Sequence, residues 1–357
     1  MSTLVPANGN GSCNAVTPAE WLTGDLAASG GAFVPNIIPA WNGGVWDPIA
    51  KELGVHGGGH DDSSNNMYCG VDLKGSATYE GFSRYDISAL ADVPYISPAA
   101  NQLTYDDGRP GSIHSYNGIQ YDPTTRRLFR VGGAIYRSGN NIDRTWTFDR
   151  NTGLWTQHAN YPGATGSGAV MTSAINVAER KIFAGAWDSG QCAFFDIDNL
   201  TWGGAKNVVG TFWPSSTSGY AVSACSETSG EIVTMAGNQF YLTTVSDWAN
   251  ETVSMQPMTV SGYSGASSAC LFWDSLDDSF WAFGGTSQAS HQTLYHITGT
   301  GTSRTATAHT LTGASISLQG GASNYRGSFN RGGLAADWRI IFFLASSQSA
   351  PYAIKIP

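Results

Sequence analysis

The chain repeats itself, and self-similarity at a fixed period constrains a fold more than any local propensity does. Trp46-Asp47-Pro48-Ile49-Ala50-Lys51-Glu52-Leu53 matches Tyr121-Asp122-Pro123-Thr124-Thr125-Arg126-Arg127-Leu128. Both read aromatic, Asp, Pro, two spacers, two charged residues, Leu, and both then reach a glycine pair in register, Gly57-Gly58 and Gly132-Gly133. Looser copies cover 175–187, 226–238, 273–285 and 331–346. Each is a strand end, a polar turn and an apolar strand. Five of the six copies then reach Gly, and the sixth has Ala. The spacing is about 50 residues, the length of one small sheet that cannot bury its faces alone.

Each copy continues alike. A loop leads to NNMYCGVDL, RTWTFDR or CAFFDID, and Trp155 and Trp202 follow Phe148-Asp149 and Phe195-Asp196. This reads as a four-stranded sheet with tight polar turns, in which Gly at the end of the second strand lets backbones approach near an axis. On these motifs, and over nearly its whole length, the chain resembles the kelch family and the central domain of galactose-oxidase-like proteins. The resemblance implies an all-β fold, a six-bladed kelch-type β-propeller, with 1–357 as a single domain. No fourth strand remains after Pro351–Pro357. The segment 17–26, within an N-terminal arm of 1–30, is therefore expected to close the ring in the last blade, because closure protects sheet edges. Residues 86–113 read as a long inter-blade loop insertion.

Composition agrees with such a fold. Gly is abundant (44 residues), aromatics reach 12%, and charged residues are 13%, about half the usual share. The net charge of −9 argues against nucleic acid, whose phosphates attract basic surfaces. Five cysteines without a C-x-x-C signal neither a disulfide framework nor zinc, and Cys225 and Cys270 read as small buried hydrophobes. The first residues lack the basic and apolar regions of a signal peptide, and no apolar run is long enough to span a bilayer. The expectation is a protein made in a host cytoplasm and carried within a larger particle, with free cytoplasmic location as the alternative.

In a propeller the loops between second and third strands, and between blades, share one face. The site candidates placed there are His60, Asp61, Asp62, Asn65, Asp107, Arg109, His114, Tyr116, Tyr136, Arg137, Trp187, Asp188, Trp213, Tyr325 and Arg326. Aromatics can stack on sugars or fill protein pockets, and the polar groups add hydrogen bonds. His60, Asp61, Asp62 and His114 match no metal spacing and read better as strand-end caps; no metal or cofactor is expected. His114 and Tyr116 are expected to enter the inner strand of the second blade. Copper-oxidase chemistry is set aside, because Tyr295-His296 falls on a third strand, away from the loop face. Ser275–Trp281 lacks the glycine and tryptophan spacing of a sialidase Asp box, and Arg109, Arg137 and Arg326 form no secure carboxylate triad. No nucleophile elbow, phosphate loop or HExxH occurs.

The functional expectation is a non-enzymatic binding or structural module, part of a bacteriophage tail or surface appendage. It would recognise a host-surface glycan or dock on other virion proteins, without nucleic acid and without membrane insertion. Alternatives are a polysaccharide-active glycosidase or lyase using loop-face carboxylates, and a kelch adaptor that grips a protein partner.

Overall fold

The computed structural model describes residues 41–49, 51–57, 68–72, 82–85, 102–104, 108, 110–135, 139–140, 142–163, 171–186, 190–210, 220–236, 239–265, 268–285, 287, 289–312, 316, 318, 327–345 and 352–357. The expected closing strand at 17–26 lies outside them, as does most of the 86–113 insertion.

The described strands form antiparallel meanders in chain order. Unit 1 is β1 (Gly44–Asp47), β2 (Glu52–His56), β3 (Tyr68–Asp72) and β4 (Phe82–Tyr85). A short β5 (Ile113–His114) precedes unit 2, which is β6 (Ile119–Asp122), β7 (Arg127–Val131), β9 (Thr145–Asp149) and β10 (Leu154–Gln157); β8 (Ala134–Ile135) pairs with β5. Unit 3 is β11 (Met171–Asn176), β12 (Lys181–Ala186) and β13 (Gln191–Asp196), edged by β14 (Thr201–Trp202) and β15 (Lys206–Asn207). After β16 (Val209–Gly210), unit 4 is β17 (Val222–Cys225), β18 (Glu231–Ala236), β19 (Gln239–Asp247) and β20 (Thr252–Ser261). Unit 5 is β21 (Cys270–Asp274), β22 (Ser279–Phe283), β23 (Thr293–Thr300) and β24 (Ser303–Thr310). Unit 6 has three described strands, β25 (Gly332–Ala335), β26 (Ile340–Phe343) and β27 (Tyr352–Lys355).

The first strands lie side by side in the order β1, β6, β11, β17, β21, β25, and β25 returns to β1. This is a β-propeller-like arrangement. At the rim, β20 pairs in parallel with β24, so the outer edges of units 4 and 5 protect each other.

The turns explain the repeat. A carboxylate or amide at the end of the first strand accepts a turn N–H: Asp47 from Ile49, Asp122 from Thr124, Asn176 from Glu179 and Asp274 from Leu276. The residue just before each second strand is left-handed: Lys51, Arg126, Arg180, Gly230, Asp278 and Arg339. One such residue after a type I-like bend restores the strand direction. Glycine is obligatory at Gly57 (φ +132°), where an added Cβ would sit 2.1 Å from Asn42 Oδ1, and at Gly133 (φ +109°), where it would meet His114 O at 2.6 Å.

Apolar faces of neighbouring units interdigitate around the ring. Val45 of unit 1 packs with Ile119 and Leu128 of unit 2, and Phe129 of unit 2 with Ile182 and Phe195 of unit 3. Phe194 of unit 3 packs with Ile232 and Tyr241 of unit 4, and Leu242 of unit 4 with Leu271 of unit 5. Trp281 and Phe283 of unit 5 pack with Ile341 and Phe343 of unit 6. Trp46 of unit 1 stacks on Phe342 of unit 6, ring centroids 5.4 Å apart.

Much of the sparse charge sits at these same junctions. Glu52 of unit 1 receives Arg150 of unit 2 at 2.5 Å, and Asp122 of unit 2 receives both terminal nitrogens of Arg180 of unit 3 at 2.9 Å. Lys181 of unit 3 reaches Glu251 of unit 4, Arg304 of unit 5 reaches Glu231 of unit 4, and Arg339 of unit 6 holds Asp274 of unit 5 at 2.5 Å. Lys51 of unit 1 pairs with Asp337 of unit 6 at 2.9 Å. Among the described residues, then, each junction between neighbouring units has an apolar seam and an ion pair. Lys51, Arg180 and Arg339 share the left-handed turn position, and each grips an acid of the preceding unit.

Candidate functional site

Short dyads set up the axis. Trp41-Asn42, Tyr116-Asn117 and Phe329-Asn330 each place Asn two residues before a first strand. Asn117 Oδ1 accepts from Thr172 Oγ1 (2.9 Å) and Ser173 N (3.3 Å) of unit 3, and from Ser223 N (2.8 Å) of unit 4. Asn330 accepts from Leu271 N of unit 5 and donates to Ser223 O of unit 4. Amides from units 2 and 6 therefore meet unit 4 across the axis. Above them Tyr116 stacks on Tyr220 at 5.3 Å, and Phe329 meets both edge-on at 5.7 and 5.6 Å. The centre is closed at this level by an amide network under an aromatic plug.

Below the plug lies a cup of about 200 Å³ lined by all six first strands. Among the side chains described, each of these strands has one that is part-exposed, and all six line the cup: Trp46, Gln120, Ile175, Ala224, Trp273 and Leu334. Period-2 alternation puts that residue inward while its neighbours enter the seams. The cup therefore lies toward the first-to-second-strand turns. Glu227, from the β17–β18 turn, also lines it.

The cup offers acceptors at the part-exposed Gln120 and Glu227, whereas the Trp46 indole N–H is a buried donor without a hydrogen-bond partner among the described residues. Both protons of the Gln120 amide are spent on Ser173 O (2.8 Å) and Ser173 Oγ (3.1 Å), and no described group donates to its Oε1. Glu227 Oε1 accepts Val177 N at 3.3 Å, and among the described residues the carboxylate has no cationic partner. Burial pushes the Glu227 carboxyl above the usual range, against the lowering effect of that N–H. Trp273 Nε1 donates to Asp278 Oδ1 at 2.8 Å, which fixes its ring. Burial also pushes up the Cys225 thiol, so it is no nucleophile at neutral pH. Tyr121 is likewise pushed up by burial and by its 2.5 Å hydrogen bond to Asp47. Among the described residues the lining supplies one carboxyl rather than the carboxyl pair that glycoside hydrolysis requires.

Of the residues expected on the loop face, His114 and Tyr116 are described. Both are buried. His114 sits in β5, its ring 4.9 Å from Trp41, and Tyr116 belongs to the plug. Both precede the inner strand β6 rather than lying within it. His60, Asp61, Asp62, Asn65, Asp107, Arg109, Tyr136, Arg137, Trp187, Asp188, Trp213, Tyr325 and Arg326 lie outside the described residues. The cup escaped the sequence reading, although Trp46-Asp47 and Trp273-Asp274 occupy the same place in the repeat.

A second cluster looks catalytic and is not. Ser279 Oγ lies 2.7 Å from His296 Nε2, but Asp277 meets that same nitrogen at 3.3 Å, and Ser279 also donates to Asp277 at 2.5 Å. A triad needs the acid on the other ring nitrogen, orienting the imidazole. Here the imidazole stacks flat on Trp281 at 4.0 Å, and the Ser275–Trp281 segment is an ordinary hairpin. Tyr295-His296 lies on β23, the third strand of its unit, as expected. Cys192, Cys225 and Cys270 are buried free thiols, and burial pushes Cys192 and Cys270 up to about 12.

No protein-family model matches the chain, and no curated protein matches it. Among solved structures it is similar to an auxiliary nutrient binding protein from Bacteroides ovatus, with 9% identity and a TM-score of 0.54 over 89% of this chain and 69% of that one. It is also similar to a chain of a mitotic checkpoint complex, with 10% identity and a TM-score of 0.44 over 89% and 91%. At such identities the likeness concerns the fold alone: the chain is β-propeller-like.

Proposed function

We propose that this chain is a six-bladed kelch-type β-propeller acting as a non-enzymatic binding and docking module on a bacteriophage virion. The six repeated meanders, with first strands in cyclic order, support the blade count. The aromatic-Asp turns and the glycines ending the second strands support the kelch type. The observation that carries binding over catalysis is the axial cup, with walls of mixed polar and apolar surface, two tryptophans and, among the described residues, a single carboxyl. The loop candidates other than the buried His114 and Tyr116 are proposed for host-surface glycan.

The test is to pass the full chain over immobilised bacterial surface polysaccharide and to assay the same mixture for released oligosaccharide. Retention without release is the expected result. Release abolished by Asp61→Asn or Asp107→Asn would instead establish the polysaccharide-active enzyme.

A further inference from the structure

Three features of the cup single out its occupant. Its part-exposed Gln120 and Glu227 offer acceptors, since Gln120 has no proton left to offer and Glu227 is a carboxylate without a described cation, while the partnerless Trp46 indole N–H is buried in the wall. Its walls include Trp46, Leu334 and Trp273, two aromatics flanking one aliphatic. Its volume, about 200 Å³, is smaller than the roughly 300–1,000 Å³ of a site for a drug-sized ligand, and suits a single side chain. Acceptors beside indole faces favour a cation on an apolar stem. A guanidinium carries five donors in a planar fork, more than Gln120 Oε1 and Glu227 can accept, whereas an ammonium needs few partners and tolerates their placement.

We infer that the cup receives a lysine side chain from a partner polypeptide, with its ammonium group at Glu227 and Gln120 Oε1 and its methylenes against Trp46, Leu334 and Trp273. This inference rests on reading the chain as a docking module. The chain's net charge of −9 favours the approach of a basic segment.

The experiment follows indole signals of the full chain by NMR and fluorescence while probes are added. The probes are Nα-acetyl-lysine methylamide, its uncharged norleucine counterpart, n-butylamine, methyl glucoside and a short lysine-containing peptide. Saturable shifts with both ammonium probes, and about tenfold weaker or no binding by norleucine, are expected. Tighter binding of the peptide than of butylamine assigns the ligand to a polypeptide; the reverse order assigns it to a free amine and overturns the partner. Glu227→Gln, whose amide oxygen can still accept Val177 N–H, should weaken the ammonium probes by about tenfold. Trp273→Phe, which keeps an aromatic wall, should weaken them less. Equal binding of norleucine or preferential binding of methyl glucoside refutes the cationic ligand while leaving a binding cup. No shift with any probe in a folded chain refutes the cup as a binding site, while retention on immobilised polysaccharide tests the docking module separately.

Discussion

Asn117 is the most consequential small side chain at the axis, and Asn117→Ala tests the ring directly. It is 1% exposed, and its single Oδ1 accepts from Thr172, Ser173 and Ser223. On truncation the Thr172 hydroxyl keeps Ser223 Oγ at 2.8 Å, so its loss is small. The N–H groups of Ser173 and Ser223 have no such fallback at that oxygen. Each orphaned buried donor costs about 1–3 kcal/mol, and the 3.3 Å bond to Ser173 is the weaker of the two. The expected loss is about 2–4 kcal/mol, a large fraction of the roughly 5–15 kcal/mol that holds a domain folded. Urea unfolding followed by tryptophan fluorescence and far-UV circular dichroism measures it. Thr228→Ala, on an exposed turn, serves as the control and should shift stability by no more than about 0.5 kcal/mol. If Asn117→Ala behaves like that control, the amide network does not hold units 2, 3 and 4 together, and the reasoning fails.

Three further outcomes are expected. Burial raises the Asp122 carboxyl, but hydrogen bonds from Arg180, Thr125 and Thr124 outweigh it and leave the net pKa depressed. An acid depressed on folding stabilises above its unfolded pKa of about 3.9 and loses that contribution as pH falls through the folded value. Asp122→Asn should therefore lower the urea midpoint at pH 7 and flatten its decline below about pH 4. Burial brings His291 down to about 4, so the unfolded chain takes up a proton there between about pH 6.5 and 4 and the folded chain does not. Stability should fall over that window by up to about 1.4 kcal/mol per pH unit, and His291→Gln should remove that component of the slope. In Gly333→Ala the added Cβ would lie 2.4 Å from Trp46 Cβ, prying unit 6 from unit 1; a loss of about 1–3 kcal/mol and a changed Trp46 indole resonance are expected.

The sequence by itself determined the repeating unit. Trp46-Asp47-Pro48 and Tyr121-Asp122-Pro123 are legible because turn chemistry is local: an Asp side chain finds N–H groups two or three residues away whatever the rest of the chain does. The buried thiols, the glycines at Gly57 and Gly133 and the β-strand at Ile340–Phe343 were equally readable, since burial and backbone permissiveness follow from residue type. Tertiary structure alone decided which side chains meet across units. Arg180 with Asp122 is 58 residues apart, Asn117 with Ser223 is 106, and Trp46 and Trp273 stand far apart in the chain. Their meeting depends on the rotation from one meander to the next, which no local pattern encodes. That same rotation closed the axis at Tyr116, Tyr220 and Phe329 and left the cup on the side of the hairpin turns. One side chain per inner strand is a feature of the ring, and only the ring brings those side chains together.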